Sequence, residues 1–171
     1  MLCGMRTLFP PELLHDAKAL LAELQRCEHK LATAESCTGG LLAGLLTEIP
    51  GASASVERGF VTYSNAAKSA LLGIDAQLIE SVGAVSEEVA RAMAEGALAR
   101  APVDIALSVT GIAGPDGGST EKPVGLVYLA LARKGQATRA RECRFGSIGR
   151  SEIRLASVRE AVALARAALT S

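Results

Sequence analysis

Ser36 is the first residue whose setting suggests chemistry. It lies in Ala34-Glu-Ser-Cys-Thr-Gly-Gly40, between a strand-like segment and the apolar run 41–46. Gly39 and Gly40 let the backbone approach a ligand closely. The free amides of a helix's first turn favour negative charge. A serine nucleophile there can place a tetrahedral oxyanion against the amides of Thr38, Gly39 and Gly40. Ser36 or Thr38 can equally be a plain helix cap. Cys37 is a second nucleophile type at the same turn, since a helix N-terminus can activate a thiol. Its neighbour Ser36 should point elsewhere, and a free cysteine is commonly a small buried residue, which is the expectation for Cys37.

A serine nucleophile needs a base. His15 and His29 flank a polar helix surface and have no loop motif beside them. Thr62-Tyr-Ser-Asn-Ala-Ala-Lys68 offers Lys68 instead. With Asn65 as the cap of a helix over 66–72, Lys68 falls in its first turn, where the helix dipole disfavours an ammonium. Burial acts in the same direction. A neutral lysine can accept the serine proton, and Tyr63 can relay or orient it. The plain alternative is a solvated Lys68 and a core Tyr63 with a wet hydroxyl.

A third segment, Ser108-Val-Thr-Gly-Ile-Ala-Gly-Pro-Asp-Gly-Gly118, carries Thr110, Gly111 and Asp116, with Ser119 and Thr120 following. Its backbone amides can cradle a phosphate, although it matches neither the P-loop pattern nor GxGxxG and can be an ordinary connection. Arg150 and Arg154 precede or open the last helical stretch. Either can hold a phosphate or carboxylate by a forked contact, or be a solvated charge.

These segments need a scaffold that brings strand ends together, as in open α/β sheets. Pro10-Pro11 can open a helix, and Leu13, Leu14, Ala17, Leu20, Leu21 and Leu24 continue it with helical period. Strands are predicted over 30–35, 57–63, 103–109 and 124–132, the last apolar enough to be covered on both faces. The polar segment 138–144 suits a sheet edge. Ser86 caps a helix with Glu87 and Glu88 in its first turn, ending before Pro102. A final helix starts near Ser151 with Leu155, Val158, Val162, Ala165 and Leu169 on one stripe. Helices mixed with short strands indicate an α/β sandwich.

With 171 residues, a single domain is expected. The apolar fraction is 49% but aromatics are only 3%, with no Trp, so small aliphatic side chains must fill the core. Basic and acidic residues balance at 18 each, which removes the main reason to expect a nucleic-acid partner. No apolar run approaches the ~20 residues of a membrane span, and Met1–Arg6 lacks a signal-peptide pattern. Cys3, Cys27, Cys37 and Cys143 are scattered without metal-ligand spacing, so reduced thiols, a cytoplasmic setting and no metal are expected.

Taken together, the blocks Thr33–Gly40, Glu57–Asn65 with Ala67-Lys68, Gly83–Ser86, Ser108–Gly118 and Lys122-Pro-Val-Gly125 resemble the C-terminal domain of the CinA family. Its stand-alone form is a nicotinamide-nucleotide amidase. The resemblance covers roughly residues 12 to 169. It implies a three-layer α/β/α sandwich with a mixed sheet, often dimeric. It implies hydrolysis of nicotinamide mononucleotide to nicotinic acid mononucleotide and ammonia, with no metal and no cofactor. The family's serine nucleophile falls on Ser36, its lysine and tyrosine on Lys68 and Tyr63. Thr110 falls on a site-lining position and Arg150 on the arginine near the substrate. The sequence departs from the family at 144–150, where Ser147 or Gly149 stands in place of an acidic residue. The competing class is a non-catalytic nucleotide-binding or regulatory module, which would keep the glycine loops and Arg150 without needing Ser36, Lys68 and Tyr63 as a set.

Overall fold

The computed structural model describes residues 7–170; Cys3 and the Met1–Arg6 start lie outside them. Its frame is a five-stranded sheet of β1 (Leu31–Glu35), β2 (Val56–Val61), β3 (Ile105–Gly111), β4 (Leu126–Arg133) and β5 (Arg139–Arg144). The order is β2-β1-β3-β4-β5. β1 runs parallel to β2 and β3, whereas β4 is antiparallel to both β3 and β5. The sheet is therefore mixed, and helices cover both of its faces.

Strand alternation sorts the side chains by size. Leu31, Ile105, Leu107, Val109, Val127, Leu129 and Leu131 face one side. They pack on α1 (Pro11–Arg26), α2 (Leu41–Thr47) and α6 (Arg150–Leu169). The opposite face presents Ala34, Ala106, Ala130 and Ala132 to the outer layer. That layer consists of α3 (Asn65–Leu72), α4 (Ala76–Val82) and α5 (Glu87–Arg100). Alanine against Ala90, Ala94 and Ala97 of α5 brings helix and sheet close together, which is how a core with so few aromatics reaches dense packing. Gly96 extends this closeness to α3, since a Cβ there would lie 2.3 Å from the Leu72 carbonyl oxygen.

The expected strands appear with small displacements. β3 starts at Ile105 because Val103 is still engaged in a turn with Ala101. β2 stops at Val61, leaving Thr62 and Tyr63 beyond the strand. Both edge strands are rich in charge, consistent with the polar edge expected for 138–144. Ser86 caps α5 by accepting from the Val89 amide at 3.3 Å, and the helix ends at Arg100 before Pro102. On α6, Leu155 is only half-buried, while Ile153, absent from the expected stripe, is fully buried. α4 has no counterpart in the expected elements. Its cap is Asp75, accepting from the Gln77 amide at 2.9 Å.

The cap of α3 requires a correction. Asn65 was the expected cap, but Ser64 is in extended conformation and its hydroxyl accepts from the Ala67 amide at 3.0 Å. Asn65 becomes the first helical residue and Lys68 the fourth. Among the described residues, no helix is long and apolar enough to cross a membrane.

Candidate active site

Ser36 follows the last residue of β1, at the carboxyl ends of the three parallel strands. Its amide donates to Val109 O at 2.9 Å, which keeps it aligned with β3. The chain then turns through Gly39 and Gly40, with φ of 57° and 98°. Both values lie in the left-handed region, where a side chain is strained.

Glu35 holds this turn from beneath. The carboxylate is completely buried and accepts from the amides of Gly40 (3.1 Å), Leu42 (3.0 Å) and Ala43 (2.8 Å). It therefore fills the anion-binding start of α2. The expected oxyanion donors need correction for the same reason. The Gly40 amide is taken by Glu35 and the Gly39 amide by Ser36 O at 3.1 Å. Neither glycine, nor the fully buried Thr38, lines the cleft beside Ser36. Charge-assisted hydrogen bonds contribute about 1.5–3 kcal/mol each. Glu35→Ala should thus lower the urea-unfolding free energy by at least about 3 kcal/mol, because three amides lose their acceptor. A change below about 0.5 kcal/mol would show that the turn does not depend on the carboxylate.

Lys68 enters from α3, on the far side of Ser36. Its side chain is only 1% exposed. Nζ donates to Ser36 Oγ and to Thr62 O, each at 3.0 Å. Burial pushes its pKa below the ordinary value of 10.5. The expected direction is present, and its cause is desolvation by burial.

These groups open into a cleft of about 260 Å³. Asn65, Thr110, Gly111, Tyr63 and Arg150 line it together with Ser36 and Lys68. Thr110 is buried and donates Oγ1 to Ala84 O at 2.8 Å, tying the end of β3 to the segment before α5. Tyr63 differs from its expected place as a relay between Ser36 and Lys68. It lies beyond the end of β2, is 62% exposed, and its Oη accepts from Arg150 Nη2 at 3.0 Å. Arg150 also donates Nη1 to Gly114 O at 2.8 Å. The two arginines near the start of α6 thus separate. Arg150 faces the cleft, while Arg154 donates to the carbonyls of Cys37 and Thr38.

Cys37 is 6% exposed, and burial pushes its thiol pKa up to about 12. This matches the buried, unreactive cysteine expected. At pH 8 such a thiol is ionised in about one molecule in ten thousand. Iodoacetamide at that pH should leave Cys37 unmodified in the folded protein, as read by peptide mass spectrometry. Cys37→Ala should keep most of the turnover. Rapid alkylation of Cys37, or loss of activity in a folded Cys37→Ala protein, would promote the thiol to nucleophile.

Residues 15–169 match the family profile described as the CinA C-terminal domain. The chain belongs to the CinA family. A CinA-like protein of Anaeromyxobacter sp. is 46% identical, over 97% of this chain and 41% of its own length. A CinA-like protein of Mycolicibacterium vanbaalenii is 56% identical over 82% of this chain and 33% of its own length. The chain thus spans well under half the length of these curated relatives. Among solved structures, competence/damage inducible protein CihA from Agrobacterium tumefaciens is 49% identical with a TM-score of 0.94, over 97% of this chain and 100% of that one. A CinA superfamily protein from Klebsiella pneumoniae is 33% identical with a TM-score of 0.88, over 92% and 98% of the two chains.

Two residues of this CinA domain escaped the sequence reading. Glu35 lies inside a motif that was read for its serine and glycines. The carboxylate five to eight residues before the amides it binds is the signal that could have found it. Arg154 is expected from the sequence to hold a phosphate or carboxylate or to be a solvated charge, and no local pattern announces its backbone partners. Among the described residues, no group of three metal-ligating side chains is assembled.

Proposed function

We propose that this CinA domain is an amidohydrolase that converts nicotinamide mononucleotide to nicotinic acid mononucleotide and ammonia. The observation that carries the reading is the buried 3.0 Å contact between Lys68 Nζ and Ser36 Oγ at the cleft floor. A lysine desolvated against a hydroxyl, with no carboxylate paired to it among the described residues, is suited to act as a base. In its neutral form, one N–H stays on Thr62 O and the lone pair faces the serine hydroxyl.

The chemistry then follows in two halves. Ser36 Oγ attacks the carboxamide carbon as its proton passes to Lys68. The tetrahedral oxyanion collapses, the C–N bond breaks, and Lys68 returns the proton to the departing ammonia. Water attacks the resulting acyl-enzyme, giving a proton to Lys68; the ester bond to Ser36 breaks, Lys68 returns that proton to Ser36 Oγ, and the acid released ionises to the carboxylate. Arg150 at the cleft wall can exchange its Tyr63 and Gly114 contacts for the substrate phosphate. Tyr63 assists by holding Arg150 until then.

The test is direct. Purified protein incubated with nicotinamide mononucleotide should yield ammonia and nicotinic acid mononucleotide in equal amounts. Unchanged nucleotide recovered from folded protein that binds it would favour the non-catalytic binding module.

A further inference from the structure

Ser36 stands where strand pairing stops on both sides of β1. Its amide donates to Val109 O at 2.9 Å, so the Ser36 N–H faces β3. Glu35 O faces the other way and accepts from the Thr62 amide at 2.8 Å, beside β2. Beyond these two bonds neither ladder continues. On the β2 side, Lys68 Nζ occupies Thr62 O and reaches Ser36 Oγ from there. On the β3 side, a parallel ladder would next join the Gly111 N–H to Ser36 O. That carbonyl instead accepts from the Gly39 amide at 3.1 Å, because the chain turns away into α2.

The direction of the Gly111 N–H follows from its neighbours. The Ile112 N–H is on Leu126 O at 2.9 Å, and Ile112 O accepts from the Gly125 amide at 2.8 Å, so Ile112 turns both groups toward β4. Successive residues of an extended strand turn these groups to opposite edges. Gly111 therefore faces β1, as Val109 does. Gly111 and Val127 form the close kind of antiparallel pair that exchanges no hydrogen bonds. A Cβ on Gly111 would accordingly lie 2.6 Å from Val127 Cγ2. Gly111 lines the same cleft as Ser36 and Lys68. Its N–H, turned from β4 and deprived of Ser36 O, has no partner among the described residues.

We propose that the Gly111 N–H is an oxyanion donor for attack by Ser36. The β2 side of the nucleophile supplies the base and the β3 side supplies the donor. No bond has to break when the oxyanion forms, because the N–H is already unpaired and its direction is fixed by the sheet. The inference rests on Ser36 as nucleophile. It replaces the expected donors at Gly39 and Gly40, whose amides are spent inside the turn.

Oxyanion stabilisation acts on the transition state more than on bound substrate. Replacing Gly111 by glycolic acid in the chemically synthesised full chain exchanges its N–H for an ester oxygen and puts no Cβ against Val127. This variant should lose ~10²-fold in kcat with KM nearly unchanged, the scale of losing one oxyanion donor. Its urea midpoint should stay close to that of wild type, since the N–H holds no ladder bond. A large drop in the midpoint would show the N–H to be spent on the fold and would overturn the proposal.

A fluorophosphonate probe separates this proposal from the choice of substrate. Ser36 Oγ bonds to phosphorus, the P–F bond breaks, fluoride leaves, and the serine proton passes to Lys68. The phosphoryl oxygen then stands where the oxyanion would. In isotopically labelled wild-type protein, the Gly111 amide proton should move downfield further than any other backbone amide proton. The glycolic acid variant should react ~10²-fold more slowly. Reaction with that shift but without ammonia release would reject the nucleotide substrate and leave the Gly111 role standing. The proposal is overturned if the Gly111 resonance stays in place when Ser36 is phosphonylated, if the variant reacts within about two-fold of wild type, if KM rises while kcat holds, or if wild type is not modified at Ser36. Should the variant fail to fold, the Gly111 resonance in wild type alone carries the test, and its failure to move would overturn the proposal.

Discussion

Ser36→Ala should abolish ammonia release, lowering kcat by about 10⁴- to 10⁶-fold, the range seen when a nucleophile that works as a unit with its base is removed. The fold should survive, because the hydroxyl contributes little packing and its partner is Lys68 Nζ, which keeps Thr62 O. The backbone of the turn is held independently by Val109, Glu35 and Arg154. Circular dichroism and unchanged binding of nicotinamide mononucleotide would separate loss of chemistry from loss of structure. Turnover near wild type would remove Ser36 from the reaction. With the Cys37 thiol buried and pushed up to about 12, the turn holds no second nucleophile ready to take its place.

Lys68 should be nearly as sensitive, and its pH dependence gives the sharper diagnosis. A lysine in water is neutral in only about one molecule in two thousand at pH 7. Burial lowers the Lys68 pKa from 10.5, so the neutral base becomes populated at lower pH than in water. The sign follows directly. Activity should be low where Lys68 is protonated, rise as pH passes the lowered pKa, and level off above it. The rise in kcat/KM reports that group in the free enzyme. The same lowering makes the buried ammonium a cost to folding. Stability should therefore increase with pH between the folded and unfolded pKa values, where the unfolded chain binds more protons.

Substitution separates basicity from charge. Lys68→Arg keeps the positive charge but cannot give up its proton near neutral pH, so turnover should fall by about 10³-fold or more. Lys68→Ala should fall comparably. If a folded, substrate-binding Lys68→Arg protein keeps most of its turnover, Lys68 supplies charge and the proton must go elsewhere. Tyr63 is poorly placed to receive it, since its hydroxyl is exposed and engaged with Arg150.

The sequence by itself determined the parts that arise from neighbouring residues. The near-unbroken apolar run 124–132 located β4 and the polar segment 138–144 the edge strand β5, helical period located α1 and α6, and Ser86 with Glu87 and Glu88 located the start of α5. Each signal acts within a few residues, because caps, period and turn chemistry are local hydrogen-bonding and burial effects. Ser36 and Lys68 could be singled out because each stands beside such a signal.

Tertiary structure decided which groups meet. The order β2-β1-β3 places the end of β1 between β2, whose following helix supplies Lys68, and β3, whose own end supplies Thr110. It also decided that Tyr63 pairs with Arg150, that Glu35 consumes the helix amides, and that Arg154 grips the turn from a helix more than a hundred residues away. No local pattern encodes these partners. A long polar side chain takes whichever acceptor the packed layers leave within reach, and burial makes it costly to leave any of them unpaired.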